Sequence, residues 1–240
     1  MQEGKEERQP RRVELTERDL IVLKWIGEQY AVGLDQVARL LGARAGAGAA
    51  TPGKLSESAT RVWLQRMVAV GAVEQDKPFR AMPVFTWLTT SGLHLVNLDF
   101  KATRPKPSTL NHLYWCSQAR LYLAARRPGD VWRSERYLRR DHAQAQAQAG
   151  KERRHKIPDL PDAHLITQRG PIAIEVELTD KQQIRADRLV SMRATEYYTV
   201  WYFCSPATEP IITRSRDKLP ESSKARIAIY SLDILKNEEN

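Results

Sequence analysis

The 240-residue sequence predicts a mixed α/β protein, α+β overall, built in two parts. Three observations carry this reading. Apolar residues recur at helical spacing three times before Gly71, then give way to a short strand-turn-strand pattern. Lys101 to Ser108 holds Pro105 and Pro107 and has no periodic apolar face, so it reads as a linker. Beyond it, strand-length apolar runs alternate with helical patterns. The expected boundaries are a domain at 13–100, a linker at 101–109 and a second domain at 110–236.

In the first part, Thr16-Glu17-Arg18-Asp19 opens a helix in capping-box style, with Leu20, Leu23, Trp25, Ile26 and Tyr30 along it. Leu34 to Leu41 reads as a short second helix stopped by Gly42. Ala43 to Gly53 is Ala/Gly-rich and reads as a loop, longer than the turn of a tight helix-turn-helix. A third helix starts near Ser56 or Ser58, carries Val62, Leu64, Met67 and Val68, and ends at Gly71. Ala72 to Gln75 and Pro83 to Leu88 then form a hairpin with a basic tip, and Thr89 to Asn97 a closing helix. Three helices, a two-stranded wing and a closing helix are the winged helix-turn-helix order. In it the third helix enters the major groove and the wing reaches the DNA backbone. Arg61, Gln65 and Arg66 are the candidates for base edges, Lys77 and Arg80 for phosphates. Trp63 is read as core.

In the second part, Leu110 to Arg127 reads as a helix stopped by Pro128-Gly129, and Val131 to Leu138 as a strand. Arg139 to Lys156 alternates Ala and Gln between basic clusters and reads as a low-complexity loop or strand extension. Strands at 163–167 and 172–179 follow, then a helix capped by Asp180 and running from Lys181 to about Tyr197. Strands at 199–204 and 227–232 complete the part. The core order αβββαβ is that of the restriction-endonuclease-like fold.

Side chains alternate along a strand, so Glu175 and Glu177 share one face of 172–179, opposite Ile172, Ile174, Val176 and Leu178. Asp162 begins the preceding strand, and three carboxylates are therefore expected at one end of a hairpin. In a PD-(D/E)xK nuclease, Asp162 and Glu175 would hold Mg²⁺ through oxygen ligands. The lysine expected two residues after the second acid is here Glu177, and Lys181 at the next helix start is the substitute. The catalytic set of an active enzyme would be Asp162, Glu175, Glu177 and Lys181. His112, His142, His155 and His164 show no ligand spacing, and Cys116 and Cys204 read as buried small hydrophobes.

The net charge of +9 is unevenly placed. Residues 101–157 hold 14 basic against 4 acidic residues, while the segments on either side are close to balance. Such a segment suits phosphate contact, with Arg139, Arg140, Lys151, Arg153, Arg154 and Lys156 as its clusters. No apolar run approaches the roughly 20 residues that span a bilayer, and the charged N-terminus lacks a signal core. The expected protein is soluble and cytoplasmic, with no membrane partner. No G-x-x-x-x-G-K-[ST] loop and no H-x-H cluster occurs, which argues against ATP use and relaxase chemistry.

In these residues the chain resembles the plasmid replication-relaxation protein family of bacterial plasmids and mobile elements. The similar stretches are Leu15 to Asp19, Leu34 to Leu41, Arg61 to Val73, Trp87-Leu88-Thr89 before Gly92, Leu110-Asn111-His112, Pro161-Asp162 and Ile174 to Glu177. They span roughly residues 13–205, and their order and spacing carry the likeness. The resemblance implies a DNA-associated role in replication, maintenance or mobilisation of such an element; it supplies no catalytic residue. The leading expectation is a double-stranded-DNA-binding protein with a noncatalytic nuclease-like domain and replication or mobilisation proteins as partners. A Mg²⁺-dependent endonuclease and a protein-protein adaptor are the alternatives, and a homodimer stays open.

Overall fold

The computed structural model describes residues 14–43, 53–148, 159–179 and 182–236. The chain is mixed α/β. Helix α1 (Glu17–Gln29) starts with the expected capping box: Thr16 Oγ1 accepts from the Asp19 amide, and the Asp19 carboxylate accepts from the Thr16 amide at 2.8 Å. It ends at Tyr30, whose φ of 82° turns the chain into β1 (Val32–Gly33), a two-residue strand that the sequence pattern does not reveal. Helices α2 (Leu34–Gly42) and α3 (Glu57–Ala69) follow, the latter capped by Ser56. Strands β2 (Val73–Asp76) and β3 (Phe85–Leu88) form the hairpin, and β1 adds to it, giving the antiparallel order β1-β3-β2. Helix α4 (Thr90–Leu95) packs close beneath. A Cβ at Gly92 would lie 1.9 Å from the Ala72 carbonyl oxygen, so only glycine fits there. Val22, Leu23, Ile26, Val37, Leu41, Trp63, Leu64, Met67, Val73 and Leu93 share the core of this half.

Helix α5 (Pro107–Arg126) leads into β4 (Val131–Ser134). Here the structure corrects the sequence reading. The strand stops at Ser134, and Glu135–Gln148 form helix α6 rather than a strand extension and loop. Ala and Gln are both good helix formers, and Glu135 pairs with Arg139 one turn on, so local propensity favours the helix over low-complexity coil. Strands β5 (Ala163–Thr167) and β6 (Gly170–Glu177) form a hairpin; helix α7 (Gln183–Glu196) crosses to β7 (Thr199–Cys204). Two further helices, α8 (Glu209–Asp217) and α9 (Glu221–Lys224), precede β8 (Ile227–Ser231) and had no counterpart in the expected order. The five-stranded sheet runs β4-β5-β6-β7-β8, antiparallel through β6 and parallel from β6 to β8.

Alternation sends Ile172, Ile174, Val176 and Phe203 to one face, against Cys116, Ala119 and Leu123 of α5 and Leu232 and Leu235 after β8. Ala173, Val200, Tyr202 and Cys204 meet Ala186 and Val190 of α7 and Ile211 and Ile212 of α8 on the other. Helices thus cover both faces, which is what a partly parallel sheet requires. Among the described residues no helix is long and apolar enough to cross a membrane.

The two halves pack on each other. Leu110 joins Ala31, Phe85 and Trp87 in one apolar cluster. Glu28 accepts from Arg120 at 2.5 Å and from the Tyr137 hydroxyl at 3.0 Å, Trp132 Nε1 donates to Gln29 at 3.1 Å, and Gln36 Nε2 donates to the Tyr114 carbonyl at 2.9 Å. The segment read as a linker is tied down as well: Thr103 pairs with Tyr30, and Arg104 with Asp76. Glu28→Ala removes the carboxylate that Arg120 and Tyr137 share. The expected outcome is a loss of about 3 kcal/mol in urea unfolding, with one transition reporting both halves.

Candidate functional site

Two regions gather the residues singled out in the sequence. The first lies on α3 and the β2–β3 hairpin. Arg61, Val62 and Gln65 are exposed on α3, and Lys77 and Arg80 are exposed at the hairpin tip. Arg61 is paired with Glu57 at 2.6 Å across one helical turn, a solvated pair of small energy that a phosphate or base edge can replace. Arg61 and Lys77 line one cleft of about 300 Å³, with Lys54, Asp35 and Pro83 among its other walls. The helix face and the hairpin therefore present to the same side.

Arg66, the third residue expected to face base edges, is half-buried and has a partner within the protein. Its Nη2 lies 2.5 Å from Asp19 Oδ1, which also accepts from Trp63 Nε1 at 2.7 Å. Burial raises the Asp19 carboxyl, but hydrogen bonds from Thr16 and Trp63 and the charge of Arg66 outweigh it and hold the group below its ordinary value. Arg66 and Trp63 thus tie α3 to the start of α1.

The basic middle is more committed than its charge suggests. Arg127 pairs with Asp130, Arg133 and Arg140 with Asp141, and Arg139 with Glu135. Arg136 donates to the carbonyls of Gly27 and Lys101 and lies over the Phe100 ring at 4.4 Å. Burial lowers its guanidinium to about 10. Arg139, on the open side of α6, is more than half exposed, so its pairing with Glu135 leaves it available to a phosphate. Lys151, Arg153, Arg154 and Lys156 lie outside the described residues, as do Asp180 and Lys181.

The second region is the end of the β5–β6 hairpin. The ladder pairs Ala163 with Ile174, so Asp162 faces Glu175 one step on. Asp162 Oδ2 accepts from the Val176 amide at 2.7 Å, and Oδ1 lies 2.8 Å from His112 Nε2. Glu175 and Glu177 are both buried. Glu175 Oε1 accepts from Arg193 Nε on α7, and Arg193 also donates to the Asp159 carbonyl and to Glu196. Burial, then the charge of Asp162, raises the Glu175 carboxyl to about 8; Arg193 opposes them, and Glu177 adds to the rise.

This arrangement does not fit Mg²⁺. The ion needs free carboxylate oxygens in octahedral geometry. A divalent ion at Glu175 would sit against the Arg193 guanidinium, and Asp162 turns its open oxygen to the nitrogen of His112 rather than to Glu175. Asp162, Glu175 and Glu177 come together as the sequence predicts, but a protein cation occupies the charge-balancing place.

Two features escaped the sequence reading. Arg193 lies 18 residues beyond Glu175 and carries no motif. His112 and Cys116, read as lacking ligand spacing, lie four residues apart on α5, and their ligand atoms meet that of Asp162. The H-x-x-x-C spacing on one helical face was the available signal. Comparison with protein-family profiles, with characterised proteins and with solved structures finds no match.

The raised Glu175 carboxyl makes stability depend on pH. The folded chain holds this proton above the pH at which the unfolded chain releases it. Its contribution is therefore complete below about pH 4.5 and declines as pH rises towards about 8. Urea midpoints measured across this window should fall for the native chain, and Glu175→Gln should flatten that part of the slope.

Proposed function

We propose that this protein binds double-stranded DNA in the replication, maintenance or mobilisation of a plasmid or mobile element. In this reading the first half is a winged helix-turn-helix, with α3 directed at the major groove and the hairpin tip at the backbone. The second half is a nuclease-like scaffold that grips DNA or docks replication or mobilisation proteins without cutting. The observation that carries the reading is the common side of α3 and the hairpin, where Arg61 and Lys77 line one cleft and Gln65 and Arg80 are exposed beside them. Arg61 offers the forked donor that reads guanine, Gln65 the paired donor and acceptor that read adenine, and Lys77 and Arg80 the cations for phosphates.

The noncatalytic reading of the second half rests on Arg193. Its guanidinium holds Glu175, one of the two acids that would have to carry Mg²⁺. The pair has the character of a structural element: Arg193 joins Glu175 on β6 to the Asp159 carbonyl and to Glu196 at the end of α7.

The test is fluorescence anisotropy of a labelled duplex titrated with the full chain over a range of salt, together with supercoiled plasmid in Mg²⁺. Affinity should fall steeply with salt, the plasmid should stay intact, and Lys77→Ala should reduce the salt slope by about 1. On a selected site, Arg61→Ala should cost about 1–3 kcal/mol. Binding without any salt slope overturns the DNA reading; nicking abolished by Glu175→Ala overturns the noncatalytic one.

A further inference from the structure

Three different ligand atoms that the DNA-binding reading leaves unused meet at one point. His112 and Cys116 project from the same face of α5, one turn apart. Asp162 reaches them from the start of the β5–β6 hairpin. The three ligand atoms lie within 4.8 Å of one another. Asp162 Oδ1 is 2.8 Å from His112 Nε2, and Cys116 Sγ is 3.4 Å from that same nitrogen.

The shared nitrogen decides what the cluster suits. In a nucleophile-base-acid relay, the nucleophile and the carboxylate engage opposite ring nitrogens, so that the imidazole can accept a proton on one side while held on the other. Here sulfur and oxygen both converge on Nε2, and Nδ1 takes no part. Convergence of a sulfur, a nitrogen and an oxygen on one point is the arrangement of ligands around a cation. Zinc bonds of about 2.0–2.3 Å place tetrahedral ligand atoms roughly 3.3–3.6 Å apart; the sulfur–nitrogen separation of 3.4 Å matches this, and an entering ion would widen the nitrogen–oxygen separation from 2.8 Å. A thiolate, an imidazole and a carboxylate form a donor set for Zn²⁺; the hard ions Mg²⁺ and Ca²⁺ would reject the sulfur.

We propose that His112, Cys116 and Asp162 form a mononuclear Zn²⁺ site with its fourth position open to solvent. Asp162 is prepared for the role: the Val176 amide occupies Oδ2 at 2.7 Å and fixes the carboxylate plane, which turns Oδ1 towards the other two ligands. The sulfur lies in the apolar layer between α5 and the sheet, shielded from oxidants, while the His112 and Asp162 side chains keep 36% and 17% of their exposure. An ion can thus enter from the solvent side and retain a water there, as in three-ligand zinc centres. Bound metal would clip α5 to the β5–β6 hairpin. The site does not depend on the DNA-binding reading, since none of its ligands lies on α3 or the β2–β3 hairpin.

Isothermal titration of the metal-stripped full chain with ZnCl₂ is the test, with the Co²⁺ absorption spectrum as a readout that needs no variant. Stoichiometric Zn²⁺ binding is expected, with Mg²⁺ unable to compete. The Co²⁺ form should show tetrahedral d–d bands and a thiolate-to-metal charge-transfer band. Cys116→Ser, His112→Ala and Asp162→Asn should each weaken Zn²⁺ binding by about 100-fold or more, while Cys204→Ala retains it. Circular dichroism checks that each variant is folded. Absence of stoichiometric binding, an octahedral Co²⁺ spectrum without the sulfur band, or undiminished affinity in folded Cys116→Ser would each overturn the proposal.

Discussion

The end of α1 is the constraint on which the two halves depend. A helix leaves its last carbonyls without intrahelical donors and carries partial negative charge there. The last turn of α1 has no basic residue of its own. The second half supplies them: Arg136 donates to the Gly27 carbonyl at 2.6 Å, Ser134 to the Glu28 carbonyl at 2.5 Å, and Arg120 pairs with the Glu28 side chain. Tyr30 then leaves the helix at positive φ, and its ring lies beneath Arg136 at 4.9 Å. One helix terminus is thereby satisfied by groups more than 90 residues away in sequence. This end of the first half is closed by donors of the second.

That constraint changes the meaning of the basic middle. By composition it is a block of excess positive charge, the signature of a nucleic-acid surface. In three dimensions Arg120 and Arg136 are interior groups holding a helix terminus, and Arg126 and Arg127 lie over Tyr122 and Trp201. Arginine suits this use because its planar, weakly hydrated fork stacks on rings while donating to several carbonyls. Charge counted along a chain measures phosphate affinity only for the residues that remain on the surface. Arg139 is one of these, and exposed Lys77 and Arg80 form a second such set on the hairpin.

Local rules made much of the fold legible. The Thr16 capping box, the stop at Gly71, the Ser56 start of α3 and the alternation along β6 all appear where residue chemistry places them. Strand β1 was invisible because two residues have no period; β3 recruits Val32 and Gly33 as edge partners. Helix α6 was missed for a different reason. Its Ala-Gln alternation imitates a period of two, while its stabilisation comes from propensity and from Tyr137 and Arg140 packing on Phe100. Helices α8 and α9 lie in a segment with few apolar residues, where only Ile211, Ile212 and Leu219 reach the core.

The same division between local and distant information governs the acids of the β5–β6 hairpin. Strand alternation and hairpin register bring Asp162, Glu175 and Glu177 to one end, and both effects operate within a few residues. What balances their charge is set by tertiary packing, which no motif spacing records. α7 crosses the face that Glu175 occupies and places Arg193 on it, so that carboxylate is compensated by the protein itself. Asp162 is turned by the Val176 amide towards α5, where His112 and Cys116 wait on the opposite side of the sheet. Burial, with the charges of Asp162 and Glu177 added to it, outweighs the single guanidinium, which is why Glu175 keeps a raised carboxyl despite its direct partner. Neighbouring carboxylates on one hairpin are thus engaged by different chemistry: an arginine on one face, a nitrogen and a sulfur on the other. An oxygen-only divalent site needs those acids to share one ion, and here each of Asp162 and Glu175 has a different partner.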